Sequence, residues 1–301
     1  MKADRAGLLS AFLAYAFWGV APIYFMWVQF ASPVEVLSHR ILWAWLLLVP
    51  AMLLLGQLKD LRALTKAKVG WLVLSAALLA TNWLVFVWAL FNERMVETSL
   101  GYYINPLMTV FLGVVFLAER PRVFQWVSVI IAAIAILHEL LTLGEVPVAG
   151  LTLAVSFALY GLVRKQVGVP SFLGLTVETS VMAPFALAFI VMQMASGSGA
   201  VSSGEFSNLA LLALGGPVTI FPLVCFAYAA LRVPFTMLGF IQYVAPSITL
   251  VLAVTLYDQE LTPERLTTFV LIWLALAVFS AESLYHVWRS NQSKTDKHAT
   301  G

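Results

Sequence analysis

Charge is scarce in this 301-residue chain: 11% of its residues are Asp, Glu, Lys or Arg, against about a quarter in a soluble domain. Water could not solvate a chain that is also 61% hydrophobic; a bilayer can. Cysteine is nearly absent. The single Cys225 excludes both a disulfide framework and a thiolate metal cage. No glycine-rich phosphate loop occurs, so the chain alone is no ATP-driven pump. The stretch HELLT at 138–142 opens like a zinc-protease helix but carries Thr142 where the second histidine would stand. No metal and no cofactor are therefore expected. The net charge of +2 gives no nucleic-acid signal, and none is expected as a partner.

What the chain has in quantity is apolar runs of about 20 residues, the length that crosses a hydrocarbon core of about 30 Å. Ten are readable, at about 7–28, 36–57, 69–91, 99–118, 123–143, 148–163, 172–194, 208–230, 235–257 and 266–288. The first is too long for a signal-peptide core and has no cleavage site after it, so it reads as a permanent helix. The sixth is the shortest, and Arg164 and Lys165 directly after it are expected to snorkel to the interface. The longest connection, ASGSGAVSSGEFSN at 195–208, is a small polar linker, so function is expected within the membrane or at its faces.

The cations fix an orientation. With ten spans, 14 of the 17 Lys and Arg residues fall on the side of the termini, while only Arg94 and Arg265 fall on the other and Arg40 lies within a span. Positive loops stay in the cytoplasm, so both termini are expected there.

The chain also repeats. A shift of 140 sets SLGYYINPLMTVFLGVVFLAER (99–120) on GFIQYVAPSITLVLAVTLYDQE (239–260), pairing Pro106 with Pro246, Tyr103 with Tyr243, Thr109 with Thr249 and Tyr102 with Gln242. A shift of 142 sets AFWG (16–19) on ALYG (158–161), and Glu119 before Pro121 matches Glu260 before Pro263. The expected fold class is an all-α polytopic membrane protein of ten transmembrane helices, built as two five-helix repeats over 1–143 and 144–288 with a cytoplasmic tail at 289–301. Five is odd, so the halves are expected to be inverted relative to one another, the arrangement of secondary transporters that hold substrate near the midplane.

Two five-helix halves with these first and fourth helices resemble the EamA family of the drug/metabolite transporter superfamily. LSHRILWAWL (37–46), YYINPL (102–107) and ETSVMAP (178–184) are similar to the bacterial RarD-type permeases of that family. The resemblance runs over essentially the whole chain. It implies a multi-pass carrier of the bacterial inner membrane with a central cavity, and it implies no particular cargo.

Several residues are candidates for the transport path. Tyr102, Tyr103, Asn105, Gln242 and Tyr243 cluster at Pro106 and Pro246, where proline frees a carbonyl and offers a hinge. Polar groups in a span face a cavity or another helix rather than lipid, so cavity lining and helix packing both account for them. Trp18 beside Gly19, Tyr160 beside Gly161, the lone amide of Asn82, and a third hinge at Pro22 complete the set. Leu112 and Leu252 are expected to face lipid. Among charged groups, Arg40 reads as a gate or an anion-attracting group at the outer mouth, or as a residue that snorkels to headgroups or pairs with Glu35. Glu178 reads as an inner gate or proton-coupling group, or as an interfacial carboxylate beside Arg164 or Lys165. The sequence thus points to alternating-access transport of a small organic molecule, with the bilayer and a second copy in a homodimer as partners and no enzymatic activity; the rival readings are a lipid-modifying membrane enzyme and a non-transporting scaffold.

Overall fold

The computed structural model describes residues 4–92, 94–143, 146–200, 205–256 and 262–299. Among them are twelve helices: α1 (Arg5–Trp27), α2 (Pro33–Leu54), the short α3 (Leu58–Arg62), α4 (Lys66–Phe91), α5 (Met95–Phe116), α6 (Val123–Leu143), α7 (Val148–Val167), α8 (Ser171–Ala195), α9 (Phe206–Arg232), α10 (Phe235–Gln242), α11 (Val244–Thr255) and α12 (Pro263–Ala299). Local chemistry sets several ends. The Ser32 hydroxyl accepts the Glu35 amide at 3.3 Å with Pro33 in the first helical position, a favourable start because proline lacks the N–H that would go unpaired there. Thr65 caps α4 through the Lys68 amide at 3.3 Å. Helix α7 stops at Gly168, whose φ of 65° lies in the left-handed region that glycine enters without strain.

Among the described residues, ten segments are long and apolar enough to cross a membrane, α10 and α11 together forming one of them and α12 contributing Pro263–Ser283. The sixth spans Val148–Val167 in full, so it does not need the snorkelling expected of Arg164 and Lys165. Both turn inward. Arg164 has 1% of its surface exposed, and Lys165 Nζ donates to the carbonyls of Ala230 at 2.8 Å and Val233 at 2.6 Å, neutralising the end of α9.

The helices alternate in direction, giving a terminal face near Asp4 and a distal face opposite. The main packed pairs are α5 with α7, α4 with α7, α1 with α9, α2 with α8 and α9, α4 with α8, α1 with α11, α5 with α10, and α6 with α12. Exchange each span for the one five later and this set maps onto itself: α4–α7 becomes α9–α1, α5–α7 becomes α1 with α10–α11, and α2–α9 becomes α8–α4. Pairs α2–α8, α5–α10 and α6–α12 map onto themselves. Small residues allow the closest approaches. A Cβ on Gly101 would lie 2.7 Å from the Gly150 carbonyl oxygen, which ties α5 to α7. A Cβ on Gly19 would lie 2.7 Å from Ile248 Cβ, which ties α1 to α11.

The two proline-marked spans behave differently. Helix α5 runs through Pro106 unbroken, whereas its counterpart is cut at Tyr243 into α10 and α11. Pro246 cannot donate to the Gln242 carbonyl, and the chain tightens there, the Tyr243 amide turning to Phe240 at 3.2 Å. Glu260, half of the paired acidic markers, lies outside the described residues. Leu112, expected at the lipid, is 4% exposed and belongs to the central apolar cluster.

Candidate functional site

Two polar layers lie on either side of the point where α5 crosses α10. At the crossing itself, Gln242 Nε2 donates to the Thr109 hydroxyl at 3.1 Å, and that hydroxyl donates to Asn105 Oδ1 at 3.2 Å. The Tyr243 hydroxyl donates to the Tyr103 carbonyl at 3.3 Å, one residue from the position that Pro106 disturbs. A Cβ on Gly239 would lie 2.7 Å from the Pro106 carbonyl oxygen, so the two backbones nearly touch. Asn105, Gln242, Tyr103 and Tyr243 are all buried here. Four of the residues proposed for the path thus meet at a single junction, where Gln242 and Tyr243 bond to α5.

The terminal-side layer is closed. Glu178 on α8 lies 3.5 Å from Arg164 Nη1 on α7, accepts a hydrogen bond from the Ser75 hydroxyl on α4, and accepts another from the Tyr160 hydroxyl at 3.4 Å. Glu178 and Tyr160 have no exposed surface. Arg164 Nη2 also donates to the Ser171 carbonyl at 3.2 Å, and its guanidinium occupies the space in which Gly174 would carry a Cβ. The aromatic rings of Trp18, Phe157, Tyr160 and Phe226 stack and tilt against one another above this layer, with centroids 5.0–5.9 Å apart. Glu119 closes the edge: its two carboxylate oxygens accept the Phe235 amide at 2.6 Å and the Thr236 amide at 2.8 Å, capping α10.

The distal-side layer is only partly buried. Arg40 on α2 donates from Nε to the Thr219 hydroxyl on α9 at 3.0 Å. Its Cζ stands 5.2 Å from the Phe25 ring centroid and 5.3 Å from that of Trp83, and the phenols of Tyr24 and Tyr102 lie within electrostatic reach. Tyr102 belongs to α5, which is not among the main partners of α2, and it is 50% exposed; we read the space between it and Arg40 as a cleft. A Cβ on Gly215 would lie 2.6 Å from the Tyr24 hydroxyl and 2.7 Å from Arg40 Cγ, so that glycine makes room for both. Glu35 does not pair with Arg40; it accepts the Ala200 amide at 2.6 Å.

Asn82 Nδ2 donates to the Leu153 carbonyl at 2.9 Å and the Ser156 hydroxyl at 3.1 Å, bonding α4 to α7. Pro22 lies within an unbroken α1. His138 and Glu139 of the HELLT stretch both meet the Thr268 hydroxyl, at 3.3 and 2.6 Å, fastening α6 to α12. Sequence reasoning missed Ser75, Thr219 and Tyr24, and took Arg164 for an interfacial residue. Gly174 and Gly215, each opposite an arginine, are the only trace these contacts leave in the sequence.

Residues 5–138 match the EamA-like transporter family. The chain is 40% identical over 293 residues to the protein RarD of Escherichia coli strain K12, covering 97% of this chain and 99% of that one. An uncharacterized transporter of Vibrio cholerae is 39% identical over 282 residues, covering 93% of each chain. The uncharacterized transporter YojE of Bacillus subtilis is 36% identical over 282 residues, 92% of this chain and 94% of that one. A protein of known crystal structure shares the fold at a TM-score of 0.72 with 19% identity, over 94% of this chain and 99% of its own. With ten membrane-length segments and bacterial transporters as full-length relatives, this is a multi-pass inner-membrane protein, and it belongs to the EamA-like transporter family as a RarD-type member.

Proposed function

We propose that the protein is a secondary-active carrier that moves a small organic molecule by alternating access between two inverted five-helix halves, 1–143 and 144–288, with both termini in the cytoplasm. The observation that carries this is the unequal state of the two polar layers. On one side of the α5–α10 crossing, Arg40, Trp83 and half-exposed Tyr102 line a cleft; on the other, Glu178, Arg164, Ser75 and Tyr160 are sealed. A pore would be open on both sides, and a scaffold would need neither layer.

The exchange of packed pairs between spans five apart supports related halves. It also gives alternating access a physical basis, because the same contacts rearranged in the other sense would seal the distal layer and open the terminal one. Arg40 and Glu178 then act at the two gates, Tyr102 and Trp18 line the cavity, and the broken α10–α11 span with Pro106 opposite supplies the flexing element. The charge bias of 14 to 2 supports placing the distal face in the periplasm. The test is counterflow: proteoliposomes holding the purified full-length chain and preloaded with a panel of unlabelled metabolites should accumulate at least one labelled counterpart above protein-free liposomes. Exchange of none, by protein shown to be folded, would overturn the carrier reading.

A further inference from the structure

The distal cleft holds a positive charge that the chain leaves unanswered. Arg40 lies seven residues into α2, about 10 Å along the helix at about 1.5 Å per residue. Among the described residues no carboxylate lies within ion-pair distance of it. Of the other two distal cations, Arg265 lies in the first turn of α12, and Arg94 is paired with Glu97 at 2.8 Å, while Glu97 also accepts the Ala149 amide. An unpaired charge at such depth is costly and marks function by default.

The guanidinium is also held in a particular way. Thr219 takes Nε, and the rings of Phe25 and Trp83 stand within cation–π distance of Cζ. Nη1 and Nη2 donate to no described group, and unlike Arg164 Nη1 neither is a sealed atom. Three supports therefore fix the fork and leave its donor edge free in the cleft. Such an edge matches a carboxylate with two parallel hydrogen bonds.

We infer that the cleft is a binding site for organic monocarboxylates with an apolar, ring-sized body: Arg40 Nη1 and Nη2 receive the carboxylate, and Trp83, Tyr102 and Phe25 flank the body. One cation answers one negative charge, so a dianion would keep half of its charge uncompensated. No described carboxylate faces Arg40 across the cleft, so an ammonium group would find only rings and hydroxyls. Binding stands on this geometry alone; only the statement that the bound acid is cargo rests on the carrier reading.

The test sets each acid against its own amide. The full-length chain in phosphatidylcholine nanodiscs is titrated with benzoate, phenylacetate, 3-phenylpropionate and hexanoate, with the matched amides, with phenethylamine and with inorganic phosphate. A parallel series uses discs rich in phosphatidylglycerol. At least one acid should bind and raise the melting temperature in both lipids, while its amide and the amine bind about tenfold more weakly or not at all. Arg40→Gln should abolish the preference for acid over amide, and Arg40→Lys should keep a reduced preference. The comparison of acid with amide in the unmodified chain stands even if Arg40→Gln does not fold. No acid outbinding its amide would overturn the inference, as would an undiminished preference in folded Arg40→Gln. So would phosphate binding as well as the best acid, or loss of acid binding in phosphatidylglycerol, which would make a lipid headgroup the partner of Arg40. Binding of an acid with counterflow of no compound would sink the carrier reading alone. Counterflow of neutral or cationic compounds only, with no acid bound in preference to its amide, would sink the carboxylate site alone.

Discussion

The Glu178 carboxylate lies 3.5 Å from Arg164 Nη1, and neither side chain has more than 1% of its surface exposed. Arg40, in the other half of the membrane, has no such partner among the described residues. One arginine is thus answered by the protein and the other is left for something else to answer. The pair on the terminal side also bonds three helices, because Ser75 reaches Glu178 from α4 while Arg164 and Tyr160 reach it from α7.

Removing one member of that pair should be costly, since it leaves the other charge buried and unpaired. Glu178→Gln or Arg164→Gln is expected to lose about 3–5 kcal/mol of stability, whereas the double variant Arg164→Met with Glu178→Met should recover most of it. Thermal unfolding in detergent measures the folding side, and uphill transport measures the other. If Glu178 is a gate or coupling group, the double variant regains stability without regaining uphill flux. Full recovery of both would leave the pair a packing element.

Glu119 is expected to hold α10 in place from a site over a hundred residues away in sequence. Its two oxygens take the Phe235 and Thr236 amides at 2.6 and 2.8 Å. Glu119→Ala should therefore cost about 2–3 kcal/mol, combining two charge-assisted bonds with loss of a charge at a helix N-terminus. Glu119→Gln should cost roughly half as much, because the amide oxygen still accepts one bond. Equal stability of both variants and the unmodified chain, in a urea or thermal titration, would contradict the capping role.

Glycine substitutions should separate by what the new methyl meets. In Gly101→Ala the Cβ would stand 2.7 Å from the Gly150 carbonyl oxygen and 3.0 Å from its Cα. Backbone cannot step aside as a side chain can, so α5 and α7 must part, at a cost of about 1–3 kcal/mol. Gly70→Ala meets nothing within 4 Å and should stabilise α4 by up to about 1 kcal/mol through helix propensity. Melting temperatures that move in the same direction for both would refute this account of the α5–α7 contact.

The spans and their number were legible because the bilayer demands continuous apolar length, a one-dimensional property. The crossing of α5 with α10 was foreshadowed by the paired prolines Pro106 and Pro246, since each removes a hydrogen bond at a fixed place. Burial of Arg164 was not legible. Its position at the end of a run is what a snorkelling residue shows, and only the three-dimensional meeting with Glu178, Ser171 and Gly174 tells the two apart. For the same reason Asn82, Gln242 and Tyr243 looked equally suited to a cavity and to packing. Their hydrogen bonds to Leu153, Thr109 and Tyr103 cross between helices that no sequence spacing connects.

Accessibility from the two faces is the broadest prediction, because it tests orientation and gating together. Replacing the lone, half-buried Cys225 by Ala gives a cysteine-free background. In intact cells a membrane-impermeant sulfonated maleimide should label Tyr102→Cys, which faces the open cleft, and should not label Tyr160→Cys, which lies in the sealed layer. In inside-out vesicles of the same strain, Tyr160→Cys should stay protected until the seal is weakened. Adding Glu178→Gln removes the carboxylate that Ser75, Tyr160 and Arg164 share, so the terminal side should open for a larger fraction of the time. Labelling at position 160 from the cytoplasmic side should then rise while labelling at position 102 from the periplasm falls, since one carrier cannot be open on both sides at once. Labelling of position 102 only in inside-out vesicles would reverse the orientation. A rise at both positions together would mean that Glu178→Gln loosens the fold rather than shifting it between two states.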